Sequence, residues 1–357
     1  YSDNFTGPSE TLIRNLPKSS RIQFVTWEAT DNPPLYYIFA GLGYKFFYNS
    51  SLIERIYAIR LISLFFFLLL TVIAYNIAKL FFKENYQAIS ISALVAFKPM
   101  LIHASTGILP DTLTNLLFSL VIFFSLKIIK FGTKAKYLLA LIFIVILGYL
   151  TRQQFLISIA FILLAIIYQL FQKNKKQKLL FSKLSILSIF VLIKIFPALN
   201  FFKRFYVPEI NSRDLSILFS YDFILHFVES AKKAYSQTLP WYWGVYKWLS
   251  FTQPHMFYQL VNRIILISII GLIIHFIKSI KNKWQKTDSM LVYLIIVSFL
   301  YVFIFIIWEF YFIKIYGYPF GFQGRYYFPL VIVHIIIIAY GFFNFIKIFS
   351  KKLSKYS

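Results

Sequence analysis

The sequence predicts an all-α fold: a polytopic membrane bundle of about nine transmembrane helices, with further helices lying at the interface in the outer loops. Of the 357 residues, 59% are hydrophobic and only 14% are charged, whereas soluble domains contain about 45–50% apolar and about 25% charged residues. The apolar residues form long blocks that short lysine clusters separate. This layout is typical of a polytopic membrane protein and argues against a soluble enzyme.

Most apolar blocks have the length that a membrane crossing requires. A hydrocarbon core of about 30 Å needs about 20 helical residues. The pair 137–150 and 155–171 is short by this measure, which favours a shallow hairpin with both flanks on one side. The nine predicted spans are 54–78, 87–104, 111–126, 137–150, 155–171, 184–200, 257–277, 289–308 and 326–346.

The spans divide the chain into four parts. Residues 1–53 form a first outer loop that contains an interfacial helix, predicted over 35–47, and residues 54–200 hold the N-terminal transmembrane helices. A large outer loop covers 201–256, and residues 257–357 hold the C-terminal transmembrane helices. Because 1–53 is predicted outside and the sequence starts at Tyr1, we expect at least one further helix upstream of it.

The distribution of lysine and arginine predicts the orientation, because cytoplasmic loops are enriched in these residues. One set of loops carries 19 of the 37 basic residues, and the opposite, longer set carries 13. The first set is therefore predicted to be cytoplasmic: 79–86, 127–136, 172–183, 278–288 and 347–357. Of the 13 acidic residues, only Glu84 and Asp288 lie on this side. The other carboxylates indicate either a chemical site at the outer face or ordinary solvated loops.

Several functional classes are disfavoured. The net charge of +24 comes from lysines at helix ends rather than from one basic face, so we expect no nucleic-acid partner. The chain has no cysteine for a thiolate site, and its five histidines show no zinc-binding spacing. It also lacks a Walker loop, which argues against ATP-driven transport by this chain alone.

Three carboxylates mark predicted outer loops. Asp111 follows Pro110 at the start of a span, where it could cap the helix or act as a carboxylate at the membrane surface. Glu28 and Asp31 stand just before Pro33 and Pro34, in a stretch that the prolines keep extended.

Two arginines mark the same predicted face. Arg152 is the only charged residue between Lys136 and Lys173, so it either snorkels to the interface or binds an anion such as phosphate. Arg325 opens the last span, where its charge opposes the helix dipole and the topology rule unless it holds an anion.

The large outer loop contains a tryptophan-rich stretch. Trp241, Trp243 and Trp248 lie within eight residues. Such a group forms an aromatic platform for a sugar or an anchor at the interface, and the sequence does not separate these two roles.

Four segments together resemble bacterial membrane proteins of the GT-C glycosyltransferase superfamily, in particular protein O-mannosyltransferases, lipid A aminoarabinose transferases and their uncharacterised branch. These segments are E-A-x-x-x-P-P-L-Y-Y at 28–37, Lys98-Pro99-Met100 followed by Pro110-Asp111, the tryptophan loop, and Q-G-R-Y with Pro329 at 323–329. The resemblance covers most of the chain. Where the family often has Asn before Pro-Asp, this chain has Leu109.

The resemblance implies transfer of a sugar from a polyprenyl-phosphate carrier to a lipid, glycan or protein acceptor, at the outer face of the cytoplasmic membrane. It implies catalytic roles for Asp111, Glu28 and Asp31, and substrate contacts for Arg325, Gln323, Arg152, Tyr36, Trp241 and Trp243. The cofactor is unknown, a divalent cation being one candidate. The family's first acidic motif would lie upstream of Tyr1, and Asp3 is an imperfect substitute.

Two other classes fit a polytopic chain. A transporter or flippase for lipid-linked sugars should show internal repeats and polar residues at mid-membrane, and the sequence has no detectable repeat. An O-antigen polymerase or ligase would also act at the outer face, but it would give the P-P-L-Y-Y segment no role.

Overall fold

The fold is a bundle of long helices, as the sequence predicts. The structure, a computed structural model, describes residues 33–172, 219–246, 251–319 and 323–353. Its helices are α1 (Leu35–Phe46), α2 (Leu52–Phe81), α3 (Asn85–Ala96), α4 (Pro99–Ser105), α5 (Asp111–Phe131), α6 (Ala135–Tyr149), α7 (Ile157–Gln172), α8 (Tyr221–Lys233), α9 (Leu239–Gly244), α10 (His255–Lys281), α11 (Lys286–Tyr316) and α12 (Val331–Leu353).

Shorter elements connect these helices. A 3₁₀ helix at Gln153–Leu156 leads into α7, a π-helical turn at Ala234–Thr238 joins α8 to α9, and a 3₁₀ helix at Gly324–Leu330 leads into α12. The described ranges also contain a two-stranded antiparallel ribbon, formed by β1 (Val245–Tyr246) and β2 (Phe251–Thr252).

Six helical segments in the described part of the chain are long and apolar enough to cross a membrane: 52–81, 111–131, 153–172, 255–281, 286–314 and 324–347. These segments contain six of the predicted spans. A seventh crossing results if α3 and α4, which meet at a bend of 58°, form one broken span. Helix α6 has 15 residues, too few for a hydrocarbon core of about 30 Å. The predicted span 184–200 lies outside the described residues.

Helix α5 occupies the centre of the bundle. It is the most deeply buried of the six candidate spans, with 78% of its apolar window inside the protein. It packs against α2, α6, α7 and the Gly324–Leu330 helix. Because Asp111 is its first residue, the predicted carboxylate stands at the end of the central helix.

The loops lie at two ends of the bundle, and hydrogen bonds from lysine side chains to backbone carbonyls join those at one end. At one end, Lys130 donates from Nζ to the Leu80 carbonyl (2.7 Å), and Lys286 donates to the Lys130 carbonyl (2.9 Å). These lysines belong to loops predicted to be cytoplasmic. The opposite end, called the Asp111 end below, contains the loops predicted to be outer. The partition agrees with the sequence prediction, and the sidedness of the two ends stays a prediction.

Gly324 permits two backbone segments to meet at the Asp111 end. A Cβ atom on Gly324 would collide with the backbone of Trp241 and Tyr242. Backbone atoms cannot move aside by a change of rotamer, so only glycine fits here without a shift of α9.

We expect Gly324→Ala to lower the free energy of unfolding by about 1–3 kcal/mol, the usual cost of forcing extra volume into a packed site. Thermal unfolding of the purified protein in detergent measures this change. Gly41→Ala is the matched control, because a Cβ atom at Gly41 meets nothing within 4 Å and alanine favours the helix. Equal melting temperatures for the two variants would contradict this packing.

Candidate active site

The P-P-L-Y segment ties three loops together at the Asp111 end. The Leu35 amide donates to the Leu150 carbonyl (2.9 Å), and the Tyr36 hydroxyl is hydrogen-bonded to Ser63 Oγ (2.7 Å). Ser63 in turn donates to the Gly107 carbonyl (3.0 Å). Tyr36 is fully buried. The segment therefore fixes the loops before α5 and after α6, and the substrate contact that the resemblance implies for Tyr36 stays a prediction.

Asp111 and Arg152 form an ion pair between these two loops. The Arg152 guanidinium donates from Nη1 to Asp111 Oδ1. Pro110 occupies the N-cap of α5 and makes no side-chain capping hydrogen bond. Asp111 is therefore not the residue that caps this helix. The Asp111 side chain is 10% exposed and that of Arg152 is 24% exposed. The pair is thus mostly buried.

Arg325 adds a second guanidinium to this pair. Burial lowers the pKa of Arg152, and the charge of Arg325 acts on it in the same direction, against the opposing influence of Tyr326 and Tyr301. Each guanidinium group carries one positive charge. Arg325 Nε is buried and has no hydrogen-bond partner among the described residues. The side chains of Asp111, Arg152 and Arg325 therefore carry a net charge of about +1, and the Nε donor of Arg325 has no acceptor among the described residues.

Tyrosines hold the Arg325 segment against the bundle core. Tyr301, on α11, donates its hydroxyl to the Tyr326 carbonyl (2.8 Å). Its ring also contacts Phe118 of α5, with centroids 5.9 Å apart. These contacts connect the Gly324–Leu330 helix to the central helix that carries Asp111.

A second cationic cluster surrounds Lys98, at the bend between α3 and α4. Lys98 is 3% exposed, and its Nζ lies 3.7 Å from the ring centroids of both Tyr242 and Trp243. The Tyr242 hydroxyl is hydrogen-bonded to His334 Nδ1 (3.0 Å). Trp243 thus contacts a cation, whereas the backbone of Trp241 packs on Gly324.

An apolar cavity of about 890 Å³ opens between α8, the π-helical turn and α11. Glu309 lines it and is 4% exposed; its Oε2 lies 3.8 Å from His226 Nε2. Tyr327 also lines the cavity, and its ring lies 6.4 Å from that of Tyr301. Tyr301 and Tyr327 therefore connect the cavity to the arginine cluster. The remaining wall is mainly apolar and includes Phe227, Ile296, Phe299, Phe303 and Ile306.

The structure brings together most of the predicted site residues that it describes. Asp111, Arg152 and Arg325 converge. Gln323 precedes Arg325 by two residues, and its carbonyl accepts from the Tyr326 amide (3.0 Å). Glu28 and Asp31 lie outside the described residues. Within the described ranges, no group of three or more His, Asp or Glu side chains could hold a metal ion.

Sequence reasoning missed Lys98 and Glu309 as site residues. Both are single charged side chains within apolar stretches, and an ionisable residue in a membrane segment is a functional candidate by default. That signal was available for both. Their contacts, with Tyr242 and His226, connect segments distant in sequence and could not be read from spacing.

Residues 14–333 match the family model described as "Predicted membrane protein (DUF2142)". No curated protein and no solved structure matches the chain significantly. The match covers most of the sequence and agrees with the helical membrane bundle described above. The chain belongs to the DUF2142 family of predicted membrane proteins.

Proposed function

We propose that the protein is an integral membrane glycosyltransferase that moves a sugar from a polyprenyl-phosphate donor to a lipid, glycan or protein acceptor. The reaction would take place at the Asp111 end, predicted to face the outside of the cytoplasmic membrane. The observation that carries the proposal is the cluster of Arg152, Arg325 and Asp111 beside an apolar cavity.

The charge of the cluster suits a phosphate. Asp111 neutralises one guanidinium and leaves a second without a carboxylate partner among the described residues. Guanidinium groups bind phosphate oxygens through paired, charge-assisted hydrogen bonds. Arg325, with its unsatisfied Nε, is the primary phosphate ligand in this proposal, and Arg152 is the second.

The cavity suits the lipid part of the donor. Its walls are mainly apolar, and a volume of about 890 Å³ lies within the usual range of ligand pockets, about 300–1,000 Å³. Tyr327 stands between this cavity and the arginine cluster. A prenyl chain in the cavity would therefore place its phosphate near Arg325.

The transfer itself needs few protein groups. The acceptor hydroxyl oxygen attacks the anomeric carbon, the bond from that carbon to the phosphate oxygen breaks, and a carboxylate accepts the hydroxyl proton. The arginines stabilise the charge that develops on the departing phosphate. Because Asp111 is engaged with Arg152, we assign it to positioning that arginine and assign the general base to Glu28 or Asp31.

The decisive experiment measures transfer of labelled sugar from polyprenyl phosphate by the full chain in proteoliposomes. We expect Ala234→Trp, which places a large ring in the cavity, to lower kcat/KM about tenfold or more, because it displaces the lipid chain. Leu266→Trp is the matched control, since Leu266 is 60% exposed on α10 and does not line the cavity.

If both tryptophan variants transfer sugar with the wild-type kcat/KM, the cavity is not the donor site. Absence of transfer by the wild type with every polyprenyl-phosphate sugar tested would contradict the proposed function itself.

One observation favours a transporter of lipid-linked sugars instead. Helices α3 and α4 form a broken pair bent by 58°, with the buried Lys98 at the break. Broken helices with charged groups line the substrate sites of many transporters. Uptake of labelled lipid-linked sugar across the vesicle membrane without glycosidic transfer would support this second function.

A further inference from the structure

The Lys98 cluster contains two buried donors without acceptors. Lys98 Nζ and Trp243 Nε1 each lack a hydrogen-bond partner within the described part of the chain. An ammonium group has three donors and an indole has one. Since Nζ lies 3.7 Å from the centroid of the Trp243 ring, both donors belong to one small region.

The aromatic rings stabilise the ammonium group only in part. A cation gains less free energy from an aromatic face than it loses in hydration when it is buried, even after the protein relaxes. The rings also leave the N–H groups of Lys98 without an oxygen acceptor. An anion from outside the protein would satisfy the lysine and the indole together.

The cluster contacts the short helix that carries Arg325. Phe328, whose ring centroid is 5.8 Å from Lys98 Nζ, follows Arg325 by three residues in the Gly324–Leu330 helix. In a 3₁₀ helix, residues three apart are on the same face, about 6 Å apart along the axis. Lys98 therefore contacts the same short helix that carries Arg325.

We propose that Lys98 and Trp243 form a second anion-binding subsite, which takes an oxyanion of the substrate other than the phosphate held by Arg325. This group is either the second phosphate of a lipid diphosphate or a carboxylate on the sugar. The identity of the ligand rests on the proposed function. The ring faces of Tyr242 and Trp243 would border the bound group, as they now border the ammonium.

The test measures lipid affinity with the full chain in nanodiscs. One probe is polyprenyl-phosphate glucose, which carries one oxyanion. The other two probes, polyprenyl diphosphate and polyprenyl-phosphate glucuronate, each carry a second oxyanion. We expect the wild type to bind at least one of the latter two about tenfold more tightly than the glucose lipid, the size of a charge-assisted hydrogen bond. The preferred probe identifies the source of the oxyanion.

Lys98→Met should reduce this preference, the ratio of the two affinities, to less than about twofold. Removing a buried charge in favour of an apolar side chain of similar volume is often neutral or stabilising, so this variant should fold. Trp243→Phe, which keeps a ring and deletes the donor, should lose part of the preference. Lys127→Met is the control, because Lys127 also lies over an aromatic ring (4.2 Å from the Phe123 centroid) but in the last turns of α5, at the opposite end of the bundle.

A preference that is absent from the wild type, or that survives in Lys98→Met, overturns the subsite. Arg325-dependent binding of the glucose lipid would then still support the proposed function. If no polyprenyl lipid binds, the proposed function fails, and inorganic pyrophosphate and free glucuronate become the probes. Stabilisation of the wild type but not of Lys98→Met by either anion would uphold the subsite, and no such stabilisation would refute it.

Discussion

Replacing Asp111 with asparagine is expected to lower the free energy of unfolding by about 3 kcal/mol. The change keeps the shape of the side chain and removes the charge that neutralises Arg152. Both side chains are mostly buried, with exposures of 10% and 24%. Breaking a buried ion pair costs about 3–5 kcal/mol, because an uncompensated charge stays behind. Arg325 increases this cost, since its charge already acts against that of Arg152.

A double-mutant cycle separates the pair from other effects of the substitution. We expect Arg152→Gln to destabilise the protein as well, and the double variant to lose less than the sum of the two single losses. Chemical unfolding in mixed micelles gives the three values.

The exposed pair of Lys314 and Asp222, 46% and 63% exposed, is the matched control. Asp222→Asn should cost less than about 1 kcal/mol, as surface ion pairs do. Additive losses for Asp111→Asn and Arg152→Gln would show that the ion pair does not stabilise the fold.

A bound phosphate should replace the lost carboxylate. In Asp111→Asn, two guanidinium groups remain without an anion, so polyprenyl phosphate should stabilise this variant more than it stabilises the wild type. A ligand that binds only the folded protein adds about RT ln(1 + [L]/Kd). The same comparison therefore tests the ion pair and the proposed phosphate site in one series.

Hydrophobic patterning predicted the bundle because membrane spans are defined by local composition. Helix α2 illustrates this: a single apolar block, opened by Ser51 with Glu54 in a capping box, gives the span and its start. The bend between α3 and α4 was harder to predict from the sequence, because it lies within one continuous apolar block at 87–104. Pro99 supplies the only local signal for the break.

The same distinction holds for the site: local sequence indicates single residues, whereas their contacts depend on the packing of the helices. Asp111, Arg152 and Arg325 were found because each is an unusual charge at the end of a predicted span. Their convergence depends on which helices pack together, and the bundle sets this through apolar contacts that carry little directional information. Lys98 and Trp243 are separated by 145 positions of chain, and only the packing of α9 against α4 and the Gly324–Leu330 helix brings them together.

Arg325→Gln is expected to lower kcat/KM for sugar transfer about 100-fold without destabilising the protein. Removing one preorganised donor that stabilises developing charge costs about 10²–10³ in rate. Arg325 Nε has no hydrogen-bond partner among the described residues, so the folded protein gains little from this donor. The variant should therefore unfold at the wild-type temperature, in contrast to Asp111→Asn.

The two substitutions are expected to differ because the two charges have different partners. Asp111 has a partner within the protein, so its loss affects stability, whereas in the proposed function the donor phosphate is the partner of Arg325. Arg325→Lys keeps the charge but loses the paired geometry of the guanidinium, and we expect it to retain about a tenth of wild-type transfer. Arg263→Gln, at an exposed position on α10, should behave as the wild type. If Arg325→Gln transfers sugar normally, the guanidinium does not bind the donor phosphate; if it unfolds early, Arg325 is a structural residue.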